Sequence, residues 1–457
     1  MLILLIGITI VLLLLLAPSA RLERVCFAAL VVSVMVFPKA LTAVPTQYVG
    51  IATRTPVLYS FSLLAAVLAV LLIVRAPSAL LLGLVPWVPF LVLTLYLWRT
   101  SWPTSDITDS GMLQITTGIV IFAISFAETR SGAVQAAAVS HLFSACILIQ
   151  GIAVMSDLLS LPLYTAKSGS IDGVQGFIVG FTGHAEILGK LLVIGLAGVL
   201  CCEPESRAQR LVQYTSAVSA VTMIALTQGR VAFLAALLLL VLFALLQVGT
   251  SRRILRRYLL ITATVVSLAS AGTLSSRFQV DPSGGGRDHL MAVATSVLSR
   301  MPFGGVGLNE FVDVIGGYDP LVGSGVPVHN AYLLLIIETG FVTGVLFWIP
   351  LIVLTMAAWR RRRRVGIAGN AARITLASVP GLLIICYEGW SLPSTPLFQA
   401  FALVYGSLLG LMFSARRGQP ALPSLLHPAF AGSDGSSRQI GLATERSPSN
   451  AAPSPTW

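Results

Sequence analysis

Apolar stretches of roughly 17–25 residues, each long enough to cross a bilayer as a helix, recur from the N-terminus to about Phe413 with short polar breaks between them. A chain with about thirteen such stretches cannot hide them in a soluble core. Composition agrees: 56% of the 457 residues are hydrophobic and 10% are charged, against roughly 45–50% and about 25% in soluble domains. Barrel strands alternate apolar and polar residues, whereas Ala235 to Leu246 is apolar on every face. The expected fold is an all-α polytopic membrane protein with about 12–13 transmembrane helices.

The first stretch, Leu2 to Ala17, ends in small residues but carries Arg21 and Arg24 after its apolar run, the reverse of a secretory signal. It reads as a retained first span with its N-terminus outside. Alternating the later loops from that start places twenty of the 29 Lys and Arg residues inside. Eight fall outside (Lys39, Arg54, Arg99, Lys167, Arg230, Arg277, Arg287 and Arg300), and Lys190 lies within a span. That asymmetry is the one the positive-inside rule demands. The net charge of +11 therefore belongs to arginines beside span ends, where anionic headgroups attract them, and does not mark a nucleic-acid surface. The five cysteines lie in or beside apolar segments without metal-type spacing and read as packing residues.

Two connections are long, and both face outward in this topology. One runs from about Ser156 to His184. The other, residues 275–328, separates the helices near 258–274 and 329–357; within it Asp288 to Met301 is compatible with a surface helix. After about Arg416 the composition shifts to Pro, Ser, Ala and Gly, with too little apolar content to fold alone. The expected organisation is an N-terminal membrane region with an outer loop at 1–179, a membrane region bearing the outer loop at 180–414, and a disordered cytoplasmic tail at 415–457.

Three outward residues, far apart in sequence, could carry chemistry. Arg230 sits in a tight hairpin, Thr227-Gln228-Gly229-Arg230, where a guanidinium either pairs with phosphate oxygens or snorkels to headgroups. Arg287 follows Gly284-Gly285-Gly286, whose small backbone admits a large anion; the alternative is a solvated loop charge. His329 opens a span at the water interface, placed either to take a proton from a hydroxyl or to hydrogen-bond the loop backbone. The glycines after Pro302 mark a turn where backbone can approach a ligand. Glu186 and Lys190, four apart, share a helix face and can neutralise each other. Glu338 lies nine residues after His329, nearly on the opposite face. Glu388, near the outer end of its span, either lines a groove or meets interfacial water.

Arg287, the run Pro302-Phe303-Gly304-Gly305-Val306-Gly307-Leu308-Asn309-Glu310-Phe311, and His329-Asn330 continuing to Glu338-Thr339-Gly340 together resemble the signature of the O-antigen ligase and polymerase family. Thr227 to Ala232 is similar to the family's Arg-bearing hairpin, and Gly183 to Gly189 to its small-residue entry into a middle span, although the family often has Asn where Glu186 stands. The resemblance covers roughly Gly180 to Leu354. It implies a GT-C-like membrane glycosyltransferase in the bacterial cytoplasmic membrane, with its site on the outer face and a polyprenyl-diphosphate-linked saccharide as donor. It also implies that Arg230 and Arg287 engage the diphosphate and that His329 serves the acceptor hydroxyl. Gly304, Gly305, Gly307, Asn330 and Lys190 are the expected substrate-binding positions.

Chemistry is consistent with that expectation. Nucleotide sugars are cytoplasmic, so an outward site needs a donor already carried across the membrane. The departing diphosphate gathers negative charge that two guanidiniums can stabilise, which makes a divalent metal unnecessary. No Asp-rich metal site stands out, although Asp281, Asp288, Asp313 and Asp319 supply outer carboxylates. The expectation is thus an inverting transferase with no metal and no cofactor. Its partners would be the lipid-linked donor, a glycan or lipid acceptor, membrane lipids and other members of a polysaccharide assembly system. The competing function is a transporter or flippase of lipid-linked saccharide, which predicts polar residues spread through the membrane.

Overall fold

The computed structural model describes residues 19–36, 41, 52–159, 180–182, 184–247, 253–280, 286–389 and 392–414. The proposed first span, most of the loop from Ser156 to His184, and the tail after Arg416 lie outside the described residues. Every regular element among the described residues is helical.

The first half of the chain gives α1 (Ser19–Met35), α2 (Ser60–Arg75), α3 (Pro77–Leu84), α4 (Val88–Thr100), α5 (Asp106–Arg130) and α6 (Ala136–Leu158). The second half gives α7 (Ala185–Val199), α8 (Arg207–Leu226), α9 (Arg230–Leu246), α10 (Arg253–Val280) and α11 (Arg287–Leu298). These are followed by α12 (Phe311–Ile315), α13 (Pro320–Gly323), α14 (Ala331–Thr339), α15 (Phe341–Leu346), α16 (Ile349–Arg361), α17 (Ile367–Tyr387) and α18 (Leu397–Phe413).

Among the described residues, five helical stretches are long and apolar enough to cross a membrane: Pro77–Thr100, Asp106–Arg130, Ala136–Leu158, Phe341–Arg361 and Ile367–Tyr387; Ser60–Arg75, Arg230–Leu246 and Leu397–Phe413 are shorter apolar helices. The protein is a multi-pass, all-α membrane protein. The 12–13 spans expected from sequence include a first span that lies outside the described residues and apolar segments shorter than these five. A hydropathy window runs across breaks that backbone geometry enforces, and some segments it accepts are short helices, such as the 15 residues of α7. The stretch expected as one helix at 329–357 is three pieces. Gly340, at φ 80° and ψ 160°, ends α14, and Pro350 opens α16.

Small residues set how closely the helices approach, as expected where lipid removes the usual hydrophobic drive between helices. On the α5–α18 contact, a Cβ at Gly406 would collide with the Phe122 backbone and one at Gly118 with the Phe398 ring. On the α9–α17 contact, a Cβ at Gly381 would lie 3.0 Å from Ala235. Gly189 of α7 leaves 3.1 Å to Ala232 and to the Thr227 hydroxyl, which draws the Thr227–Arg230 hairpin against the first turns of α7. At the other end of α7, Asn370 donates to the Leu200 carbonyl and Arg373 lies 3.9 Å from Glu203. Helices α7 and α17 therefore run antiparallel, with the start of α7 and the end of α17 at one end of the bundle.

Candidate functional site at the starts of α7, α11 and α14

Arg287 is the first residue of α11. Gly286 before it adopts φ 78°, the left-handed region that a side chain resists, so the last glycine of the run is required to turn the chain into this helix. Leu290, Ala294 and Val297 bury one face of α11, which fixes its first turn and Arg287 with it. The segment Asp288–Met301, read as helix-compatible, is thus helical, starting one residue earlier and ending at Leu298.

The Arg287 guanidinium reaches two carboxylates from distant parts of the chain: Glu388, the residue closing α17, at 3.5 Å, and Glu186, in the first turn of α7, at 3.7 Å. Both separations exceed the roughly 2.7–2.9 Å of a charge-assisted hydrogen bond. Arg287 is therefore braced between two negative charges without being saturated by either. Glu186 also binds Lys190 at 2.5 Å, as the four-residue spacing predicted. Lys190 is only 3% exposed and faces the bundle interior beneath the cluster.

His329 joins the same group. The Ala331 amide donates to the Gly389 carbonyl at 3.1 Å, which holds the start of α14 beside the end of α17. Burial pushes the imidazole down to about 4; Glu186 opposes that shift, while Arg287 and Lys190 reinforce it. The ring is neutral at physiological pH and able to accept a proton. A second histidine, His184 at the N-cap of α7, is also held below its ordinary range by burial, with Glu186 opposing and Lys190 reinforcing. Arg230 begins α9 at this same end, on the hairpin that packs against Gly189.

The other expected positions are engaged by the protein's own backbone. Asn330 caps α14, its side chain accepting from the Leu333 amide at 3.0 Å. Gly305 has φ 76° and Gly307 φ 115°, so the turn does need glycine, but the backbone it approaches is the protein's own. The Val306 and Gly307 amides donate to the Ile337 and Glu338 carbonyls, capping the C-terminal end of α14, where carbonyls lack helical partners. A Cβ on Gly305 would strike the Glu338 carbonyl, and one on Gly340 the Phe303 carbonyl. The Trp102 indole donates to the Gly304 carbonyl at 2.7 Å. Nine residues of α14, about 13 Å of helix, separate this turn from His329. Glu338 is fully buried at the turn end.

The rest of the Gly-rich motif is a latch. The Asn309 carboxamide accepts from the Ala52 amide at 2.9 Å and donates to the Thr53 carbonyl at 3.1 Å, while Glu310 accepts from Thr108 at 2.9 Å and from Ser105. Arg54 and Asp313 pair at 2.5 Å across the same seam.

Sequence reasoning left Glu186 and Glu388 undecided and did not single out His184. Glu388 lies about a hundred residues beyond Arg287 and on a different helix, and no spacing rule connects them. An acidic residue at the outer end of a span is the one signal the sequence offered.

A charged group drawn from α7, α11, α14 and α17 thus lines one end of a helical membrane bundle, with a neutral histidine among two cations and two carboxylates. None of the curated proteins matches this chain. Residues 215–348, which span Arg230, Arg287, the Gly turn and His329, match the family model described as O-antigen ligase, so that this segment is similar to the family its motifs resemble.

Proposed function

We propose that this protein transfers a saccharide from a polyprenyl-diphosphate carrier to an acceptor hydroxyl on the outer face of the cytoplasmic membrane, inverting the anomeric centre without a metal ion. The observation that carries the proposal is the placement of Arg287, loosely braced by Glu186 and Glu388, beside a His329 that is neutral at physiological pH. A diphosphate entering here exchanges the long carboxylate contacts of Arg287 for short bidentate ones. Arg230, on the adjoining hairpin, supplies the second cation. As the bond from the anomeric carbon to the diphosphate oxygen breaks, the charge gathering on that oxygen is met by guanidiniums already in position. His329 removes the acceptor proton as the hydroxyl oxygen attacks, a contribution of about 10²–10⁴ in rate. Glu186 and Glu388 act on this chemistry through Arg287, by fixing where its guanidinium waits.

The test is transfer by the purified protein in nanodiscs, using a synthetic polyprenyl-diphosphate oligosaccharide and a glycan acceptor. The expected result is product from the wild type and none from Arg287→Ala or His329→Ala. Movement of the intact donor across vesicles without glycosidic bond formation would overturn the proposal in favour of a transporter. In cells lacking the protein, single repeats on the carrier identify a polymerase and long free chains on the carrier identify a ligase. Unchanged glycan on carrier and surface contradicts both.

A further inference from the structure

At the end of the bundle opposite the candidate site, α16 runs into five consecutive arginines, Arg360 to Arg364. Membrane proteins commonly carry basic residues here, but these five are organised unequally. Arg361 stacks over the Phe413 ring at 3.8 Å, and Arg362 over the Trp359 ring at 3.5 Å. Arg373, buried in α17, donates to the Arg362 and Arg364 carbonyls at 3.2 and 3.1 Å. The backbone of the run is thus pinned from beneath and two of its side chains are occupied. The remaining three, Arg360, Arg363 and Arg364, are exposed, and among the described residues no carboxylate lies within ion-pair distance of them.

Directly beside them α16 carries a shallow, open groove lined by Thr355, Met356, Trp359 and Arg360. It continues an apolar stripe left open among the described residues: Ile352 is 54% exposed, Met356 49% and Trp359 57%, while Leu354 and Ala358 bury the other face of the helix. An exposed apolar stripe along the helix that ends in three exposed guanidiniums complements a lipid with an acyl chain and an anionic head.

We propose that this groove is a binding site for one anionic phospholipid, with an acyl chain along Ile352, Met356 and Trp359 and the phosphate taken by Arg360, Arg363 and Arg364. Pinning by Arg373 and the two ring stacks distinguishes the site from a flexible basic tail. The backbone that carries the three guanidiniums is ordered before the lipid arrives, so little backbone freedom is lost on binding. The site is remote from the transfer chemistry and does not depend on that reading.

Native mass spectrometry of the full chain, titrated with phosphatidylglycerol or phosphatidylcholine, tests it. The expected result is one tightly retained phosphatidylglycerol, preferred several-fold over phosphatidylcholine. The preference should be lost in Arg360→Gln/Arg363→Gln/Arg364→Gln. Met356→Trp, which fills the groove and keeps every charge, should lower retention of the same lipid. Thermal unfolding in detergent checks the fold of each variant: phosphatidylglycerol should raise the unfolding temperature of the wild type and not of the triple variant, and inorganic phosphate alone should raise neither. Equal retention of the two lipids by the wild type, or an unchanged preference in the folded triple variant, overturns the proposal. If the triple variant does not fold, Met356→Trp decides alone, and undiminished retention there is the contradicting result.

Discussion

The two ends of α14 differ in how the chain treats its own polar groups. At the start, Arg287, Glu186, Glu388 and His329 gather from four separate helices, with contacts of 3.5 and 3.7 Å that leave the guanidinium short of full hydrogen bonding. At the end, the Pro302–Gly307 turn lies directly on the Glu338–Gly340 backbone, its amides spent on the helix's terminal carbonyls. One end keeps capacity in reserve and the other has used it. A single contiguous motif therefore divides into residues that can still bind something and residues that hold the first group in place.

Substitutions at the two ends should separate in kind. The largest effect is expected for His329→Ala, with transfer falling about 10²–10⁴-fold in protein that remains folded. Because burial holds this imidazole at about 4, the acidic limb of kcat/KM should also lie well below the ordinary histidine range. The base is neutral above that pH and lost as pH falls through it; a limb near 6.5 would place the proton acceptor elsewhere. Next comes Arg287→Ala, at about 10²–10³-fold. Arg287→Lys should recover only part of this, since an ammonium cannot offer two parallel N–H groups to a diphosphate.

At the turn end, Gly340→Ala and Gly305→Ala should cost about 1–3 kcal/mol of stability through backbone collision and strained φ. Yield and unfolding temperature should drop while the transfer rate per folded molecule stays within a few-fold. A Gly340→Ala protein that is fully stable yet silent would move the turn into the chemistry. The smallest effect is expected for Glu388→Gln, a few-fold rise in KM for the donor with little change in kcat, because it loosens the brace on Arg287 without removing a group from the reaction.

Much of this architecture was legible in sequence because two of its causes are local. Apolar length gave the helical class, which the structure bears out. The Glu186–Lys190 pair followed from a four-residue spacing alone. The glycines were read as a turn where backbone can approach a ligand, and the group they meet is the protein's own backbone, a tertiary fact: nothing near Gly305 in sequence announces that Glu338 will lie above it. Asn330 illustrates the same limit, since a polar residue next to a candidate base reads as a ligand contact until its side chain is found on the Leu333 amide. The brace on Arg287 was illegible because its two carboxylates precede and follow it by about a hundred residues each.

The measurement that bears most directly on this division is the transfer rate per folded molecule, in one donor assay, for His329→Ala beside Gly340→Ala. The account predicts a folded and inactive His329→Ala and a destabilised Gly340→Ala whose surviving molecules work. Full activity in folded His329→Ala would contradict it.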